Sequence, residues 1–123
     1  MVVEQISLPR QLDIVFTMLA EELKHLSSGT VFVQIRNNNI GKFGIKHDPI
    51  HGAEGRLERE EQGLTSEQLY AFRKMAIQSL KYKKNWTHGE IFFDFAIKKN
   101  LLVTSVQFES NYNMANHLPL KSR

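Results

Sequence analysis

Between Gln11 and Leu26 the apolar residues Leu12, Val15, Phe16, Leu19, Leu23 and Leu26 recur at three- and four-residue steps. Steps of that size put them on one stripe of an amphipathic helix. Ser7 or Leu8, just ahead of Pro9, gives the start, because proline suits a first helical turn, and Ser27-Ser28-Gly29 gives the stop. A second helix is predicted from Ser66 to about Lys83, with Leu69, Phe72, Ala76 and Leu80 as its buried stripe and Met75 and Ile77 flanking. Thr65 and Gln68 stand at the spacing of a capping box, Leu64 is placed to staple against Leu69, and Lys81, Lys83 and Lys84 suit the negative end of the helix dipole.

Elsewhere the period drops to two. A heptapeptide occurs twice in similar form, Gly29-Thr-Val-Phe-Val-Gln-Ile35 and Gly89-Glu-Ile-Phe-Phe-Asp-Phe95, each time opening a hairpin-like stretch after a helical one. The helices do not stay aligned at the offset that aligns these peptides, so duplication and convergence on a good strand sequence explain the likeness equally well. Side-chain alternation sets the register, because a one-residue slip turns every apolar side chain to the wrong face. In the second hairpin a two-residue loop at Lys99-Asn100 pairs Ile97 with Leu102, Phe95 with Thr104, Phe93 with Val106 and Ile91 with Phe108. In the first, a three-residue loop of Asn37, Asn38 and Asn39 sets Val33 against Phe43 and Val31 against Ile45, with Phe32 covering Gly44 on the outer face.

The order αββαββ then implies one α+β domain over residues 1–123. It is a two-layer sandwich, a four-stranded antiparallel sheet with two helices on one face. Which strands join the two hairpins is left open by the pattern. Residues 47–64 form a connection longer than compact domains ordinarily use, and Asn111 to Arg123, polar and with Pro119 near its end, reads as a loosely held, flexible tail.

Composition removes several function classes. At 41% hydrophobic and 24% charged the chain is neither disordered nor fibrous. It has no cysteine, which removes disulfides, thiolate metal sites and cysteine nucleophiles together and suits a reducing cytoplasm. The start, Met1 to Ile6, lacks the basic and apolar regions of a secretory signal, and no apolar run is long enough to span a bilayer, so a cytoplasmic protein with no membrane partner is expected. Asn85-Trp86-Thr87 matches the glycosylation sequon, as a three-residue pattern does by chance.

The net charge of +3 is unevenly spread: residues 65–89 carry five bases against one acid. Arg73, Lys74, Lys81, Lys83 and Lys84, interleaved with Tyr82 and Trp86, combine phosphate-neutralising charge with stacking surfaces, the pairing that binds nucleic acid single strands. The competing reading makes these lysines complements of the helix end and Trp86 a cap on the core.

Catalytic and metal signatures are sparse. His47 and His51 flank Asp48 at a four-residue spacing, with His88 elsewhere, but Pro49 inside the interval argues against the shared helix face that would converge them on a metal. Glu54, Glu58, Glu60 and Glu61, interleaved with Arg56 and Arg59, read as an exposed, self-paired helical turn. No nucleophile elbow or phosphate-binding loop is present, and no enzyme activity, metal or cofactor is expected. A small metal-dependent enzyme or hydrolase working through the loop histidines stands as the third reading.

What remains is surplus apolar surface on the sheet's outer face. Phe32, Gln34, Arg36, Ile40 and Lys42 should point away from the helices in the first hairpin, and Phe92, Asp94, Ala96, Leu101 and Val103 in the second. An apolar group of that size marks a protein interface more than an ordinary wet face, the competing reading being that the tail or the long loop folds over and covers it. The leading expectation is therefore a non-catalytic binding or regulatory protein that contacts a protein partner, or a second copy as a homodimer, through Phe32, Arg36, Phe92, Leu101 and Val103, or acts through the 47–64 loop. Nucleic-acid binding through the basic end of the second helix is the alternative.

Overall fold

A computed structural model describes residues 5–58, 62–116 and 118. Arg59, Glu60 and Glu61 lie outside the described residues, as do Pro119 and the rest of the expected tail beyond it.

Helix α1 runs Leu8–Leu23. The Ser7 hydroxyl accepts from the Arg10 amide at 3.4 Å, and Pro9 occupies the first turn, where its missing N–H costs nothing. The α-helix ends three residues before Leu26, because His25 and Leu26 donate to the Glu22 and Leu23 carbonyls in tighter turns and Ser28 already begins a strand. Helix α2 runs Ser66–Ser79 behind a complete Thr65–Gln68 capping box. Its last expected turn tightens instead to a 3-10 turn over Leu80–Tyr82, where the Ser79 hydroxyl donates to the Ala76 carbonyl at 2.6 Å. Lys81, Lys83 and Lys84 thus lie past the α-helix proper.

Six strands follow the order β1 Ser28–Arg36, β2 Asn39–His47, β3 Gly52–Ala53, β4 Arg56–Leu57, β5 His88–Lys98 and β6 Leu101–Ser110. Four of them form one antiparallel sheet in the order β2-β1-β5-β6, so the two heptapeptides lie side by side at its centre. Phe32 stands directly opposite Phe92, and each heptapeptide's glycine faces the other's last residue, Gly29 opposite Phe95 and Gly89 opposite Ile35. Val31, Val33, Ile35, Ile91, Phe93 and Phe95 turn to the helices and are buried with Phe16 and Phe72. Phe16 meets Phe72 edge-on at 5.1 Å and Phe93 at 6.0 Å, and Phe72 reaches Phe95 at 5.0 Å.

The β5–β6 hairpin has the register that alternation predicts, with Lys99 and Asn100 both at positive φ as a tight two-residue turn requires. The β1–β2 hairpin departs from expectation at its tip. Val33–Phe43, Val31–Ile45 and Phe32–Gly44 pair as predicted, but the loop is Asn37-Asn38, both at positive φ, and Asn39 pairs with Arg36. A bulge between the Val33 and Ile35 pairs takes up the extra residue. Ile40 therefore pairs with Ile35 and packs against the core, not on the outer face where simple alternation puts it.

The asparagine tip is tied down. The Asn37 and Asn38 amides donate to the Thr87 and Trp86 carbonyls at 2.7 and 2.9 Å, and the Asn38 side-chain oxygen accepts from the Trp86 amide at 2.7 Å. From α1, the Gln11 side chain accepts from the Ile40 amide at 2.7 Å beside the bulge. Asn38→Gly, which keeps the left-handed backbone but loses the side-chain bond, is expected to cost about 1 kcal/mol. Asn38→Ala adds the left-handed penalty of a Cβ, for a total of about 2 kcal/mol or more. Urea unfolding of the two variants beside the parent measures the step.

The connection after β2 is not structureless. Gly52–Ala53 and Arg56–Leu57 pair as a small hairpin, turned by Glu54 and Gly55 at positive φ. The expected self-paired helical turn of Glu and Arg is thus replaced, over its described part, by strand pairing that leaves both faces in solvent.

Candidate functional site

Alternation along the four long strands sends one set of side chains to the helices and the other to an open face. Phe32 and Phe92 lie at the centre of that face, both half-buried. Phe32 covers Gly44: a Cβ built on Gly44 would stand 3.0 Å from the phenylalanine ring tip. An aromatic ring shielding a glycine's backbone explains part of why Phe32 is there. Across β5 the residue opposite Phe92 is Gln107, so no glycine on that side accounts for Phe92.

The remaining expected interface residues are on the same face but not in one cluster. Leu101 and Val103, 68% and 49% exposed, extend the apolar surface along β6, opposite Lys98 and Ala96. Arg36 is at the other end of β1, exposed, with its Nε donating to His88 Nε2 at 3.2 Å. Between them runs a polar lattice in which Thr30 and Ser105 donate to the two oxygens of Asp94 and Gln34 donates to Glu90.

Charge on this face is divided. Lys42 and Lys46 stand on β2 and Arg36 on β1, whereas Glu90, Asp94 and Glu109 stand on β5 and β6, with Lys98, among the described residues, the one lysine or arginine of those two strands. Neither Lys42 nor Glu109 is in an ion pair among the described residues.

The basic group at the end of α2 is dispersed. Trp86 is 1% exposed, its indole N–H donates to the Lys83 carbonyl at 3.2 Å, and its ring meets Phe108 edge-on. It belongs to the core and offers no ring face for a base to stack on. Lys83 lies over that buried ring at 4.8 Å, and Arg73 sits over Tyr70 while pairing with Asp13 of α1 at 3.5 Å. Lys74 and Lys84 are exposed, and Tyr82, 74% exposed with Lys81 over it, keeps an accessible ring.

His47, Asp48 and His51 come together in a different place, an open cleft of about 1200 Å³ between the end of α1, the β3–β4 hairpin and the end of β5. Glu22, His25 and Glu58 join them there, and His47 Nε2 shares a 2.6 Å hydrogen bond with the Glu22 carboxylate. Glu22 and His25 leave no sequence signal, since they occupy exposed positions in the last turn of α1 and in the turn just after it and reach the cleft only through the packing of α1 on β2. His88 is far from this group along the sheet, beside Arg36. Among the described residues no set of three histidine, aspartate or glutamate side chains has the geometry to hold a metal ion.

No protein-family model matches the chain, and searches of curated proteins and of solved structures found no match. No helix among the described residues is long and apolar enough to cross a membrane.

Proposed function

We propose that this protein is a non-catalytic binding module whose working surface is the open face of the sheet. One observation carries the reading: Phe92 stands with Phe32 at the centre of a face opposite the helices, and among the described residues it covers no glycine as Phe32 covers Gly44. Apolar side chains placed centrally and rimmed by charge have the anatomy of an interface, in which a few central aromatics supply most of the binding energy. Leu101 and Val103 widen the apolar surface, and Arg36 supplies a rim charge.

The test compares the pure protein with the Phe32→Ser, Phe92→Ser double variant, by sedimentation and by recovery of bound partners. The variant is expected to stay folded and to lose association. A parent protein that sediments as a strict monomer and recovers no partner overturns the proposal. Recovery of nucleic acid that is lost on Lys81→Gln with Lys84→Gln, but kept in the phenylalanine variant, would move the function to the end of α2.

A further inference from the structure

We infer that the occupant of the open face is a second copy of this chain, packed sheet to sheet about a two-fold axis parallel to the strands. The inference rests on the reading of that face as a protein-binding surface and names the partner. Its ground is the way the register distributes charge. Across the sheet, Gln34, Glu90 and Glu109 fall in one row, with the acids toward the β6 edge, and Lys42 lies beside that row on the β2 edge, at the bulge between the Phe43 and Ile40 pairs. The next row holds Phe32 and Phe92 at its centre.

Two ways of laying such a face on itself differ in sign. A two-fold axis perpendicular to the strands and through the phenylalanine row sets β2 over β2 and β5 over β5, Lys42 toward Lys46 and Glu90 toward Asp94 of the second copy, which like-charge repulsion disfavours. An axis parallel to the strands sets β2 of one copy over β6 of the other and β1 over β5. Lys42 then meets Glu109 of the second copy, twice by symmetry, and Phe32 meets Phe92 of the second copy, also twice. The crossing of about 30° that twisted sheets adopt when stacked shifts the corners most, and the long Lys42 side chain has the reach to absorb that shift. Lys42 and Glu109 are both exposed with no ion pair among the described residues, so neither needs to be freed first.

Size is compatible with this. Strands of nine to eleven residues in a four-stranded sheet give a face of roughly 30 by 19 Å at ordinary strand dimensions. The accessible area of so rumpled a surface exceeds its projection and approaches the roughly 800 Å² per partner of a standard interface.

Charge reversal in mixture tests the arrangement. Lys42→Glu alone sets carboxylate against carboxylate in both contacts, and Glu109→Lys alone sets ammonium against ammonium in both. Each variant is expected to dimerise about tenfold more weakly than the parent, or worse. In an equimolar mixture the introduced glutamate of one variant faces the introduced lysine of the other, and the unchanged Glu109 of the first faces the unchanged Lys42 of the second. The mixture is expected to recover parental affinity within about threefold, as heterodimer. Both sites are exposed, and circular dichroism of each variant shows whether the fold is kept. A monomeric parent, or a mixture no tighter than its components, overturns the inference. If the parent is monomeric yet still loses a different protein partner on Phe32→Ser with Phe92→Ser, the binding-module reading stands and only the second copy is lost.

Discussion

Gly89→Ala is expected to destabilise the protein by about 3 kcal/mol or more, although it adds one methyl group. Gly89 is buried in β5, opposite Ile35 on one side and Ser110 on the other, and its inner side is already filled. A Cβ there would run into both the Glu109 carbonyl oxygen and the six-membered ring of Trp86, well inside contact distance. Neither neighbour can give way cheaply. The carbonyl belongs to the β5–β6 ladder. The indole is held by the bonds of its ring N–H to Lys83 and of its backbone amide to Asn38, and by edge contact with Phe108. Overpacking a closed core costs about 1–3 kcal/mol when side chains can shift, and here backbone must shift as well. Gly41→Ala is the control: a Cβ at Gly41 meets nothing within 4 Å. There the loss of unfolded-chain freedom is expected to leave stability unchanged or raise it by up to about 1 kcal/mol. Urea unfolding of both variants settles the comparison. A Gly89→Ala protein as stable as the parent would show that the Trp86 ring moves freely.

Trp86 on Gly89 and Phe32 on Gly44 are the same device on opposite faces of one sheet, an aromatic ring filling the space above a residue without a side chain. Only the second was legible beforehand. Phe32 and Gly44 are cross-strand neighbours in a hairpin, so register alone brings them together. Trp86 precedes β5 and reaches its place through the left-handed turn at Asn85 and the clamp to the Asn37-Asn38 tip, contacts that no period-two pattern records. The same limit explains the first hairpin. Its apolar pairs near the helices were readable, but the choice between a longer loop and a bulged short one depends on Gln11 of α1 satisfying the Ile40 amide, across 29 residues of chain.

The parts that were legible are those in which one local rule has one outcome. The Thr65–Gln68 box caps α2, and the β5–β6 hairpin follows from alternation and its two-residue turn, because a one-residue slip would turn Leu102, Val106 and Phe108 away from the core. The β3–β4 hairpin has no buried face, so hydrophobic alternation could not announce it; only Gly55 marks its turn. The open face was legible as the complement of the core. Its order across strands was not, since either hairpin could have joined the other by its outer strand. The order β2-β1-β5-β6 is what puts Phe32 beside Phe92, Lys42 and Lys46 on one edge strand and Glu109 on the other.

Core and open-face phenylalanines should therefore separate in experiment, and Phe16→Ala provides the core half. Phe16 is 1% exposed and is the ring through which α1 touches both Phe72 of α2 and Phe93 of the central strand. Truncation removes a buried ring and leaves a cavity bounded by the backbones of three elements, which cannot all close in at once. The expected cost is about 3–5 kcal/mol, a large share of the roughly 5–15 kcal/mol that holds a domain of this kind together. The urea midpoint should fall with the slope unchanged, since the surface exposed on unfolding stays nearly the same. Phe32→Ser and Phe92→Ser remove rings of the same size from half-buried positions, where each is expected to cost about 1 kcal/mol. Their main effect should appear in association. A Phe92→Ser protein that loses as much stability as Phe16→Ala would mean that Phe92 serves the fold after all, and the open face would lose the residue on which its functional reading depends.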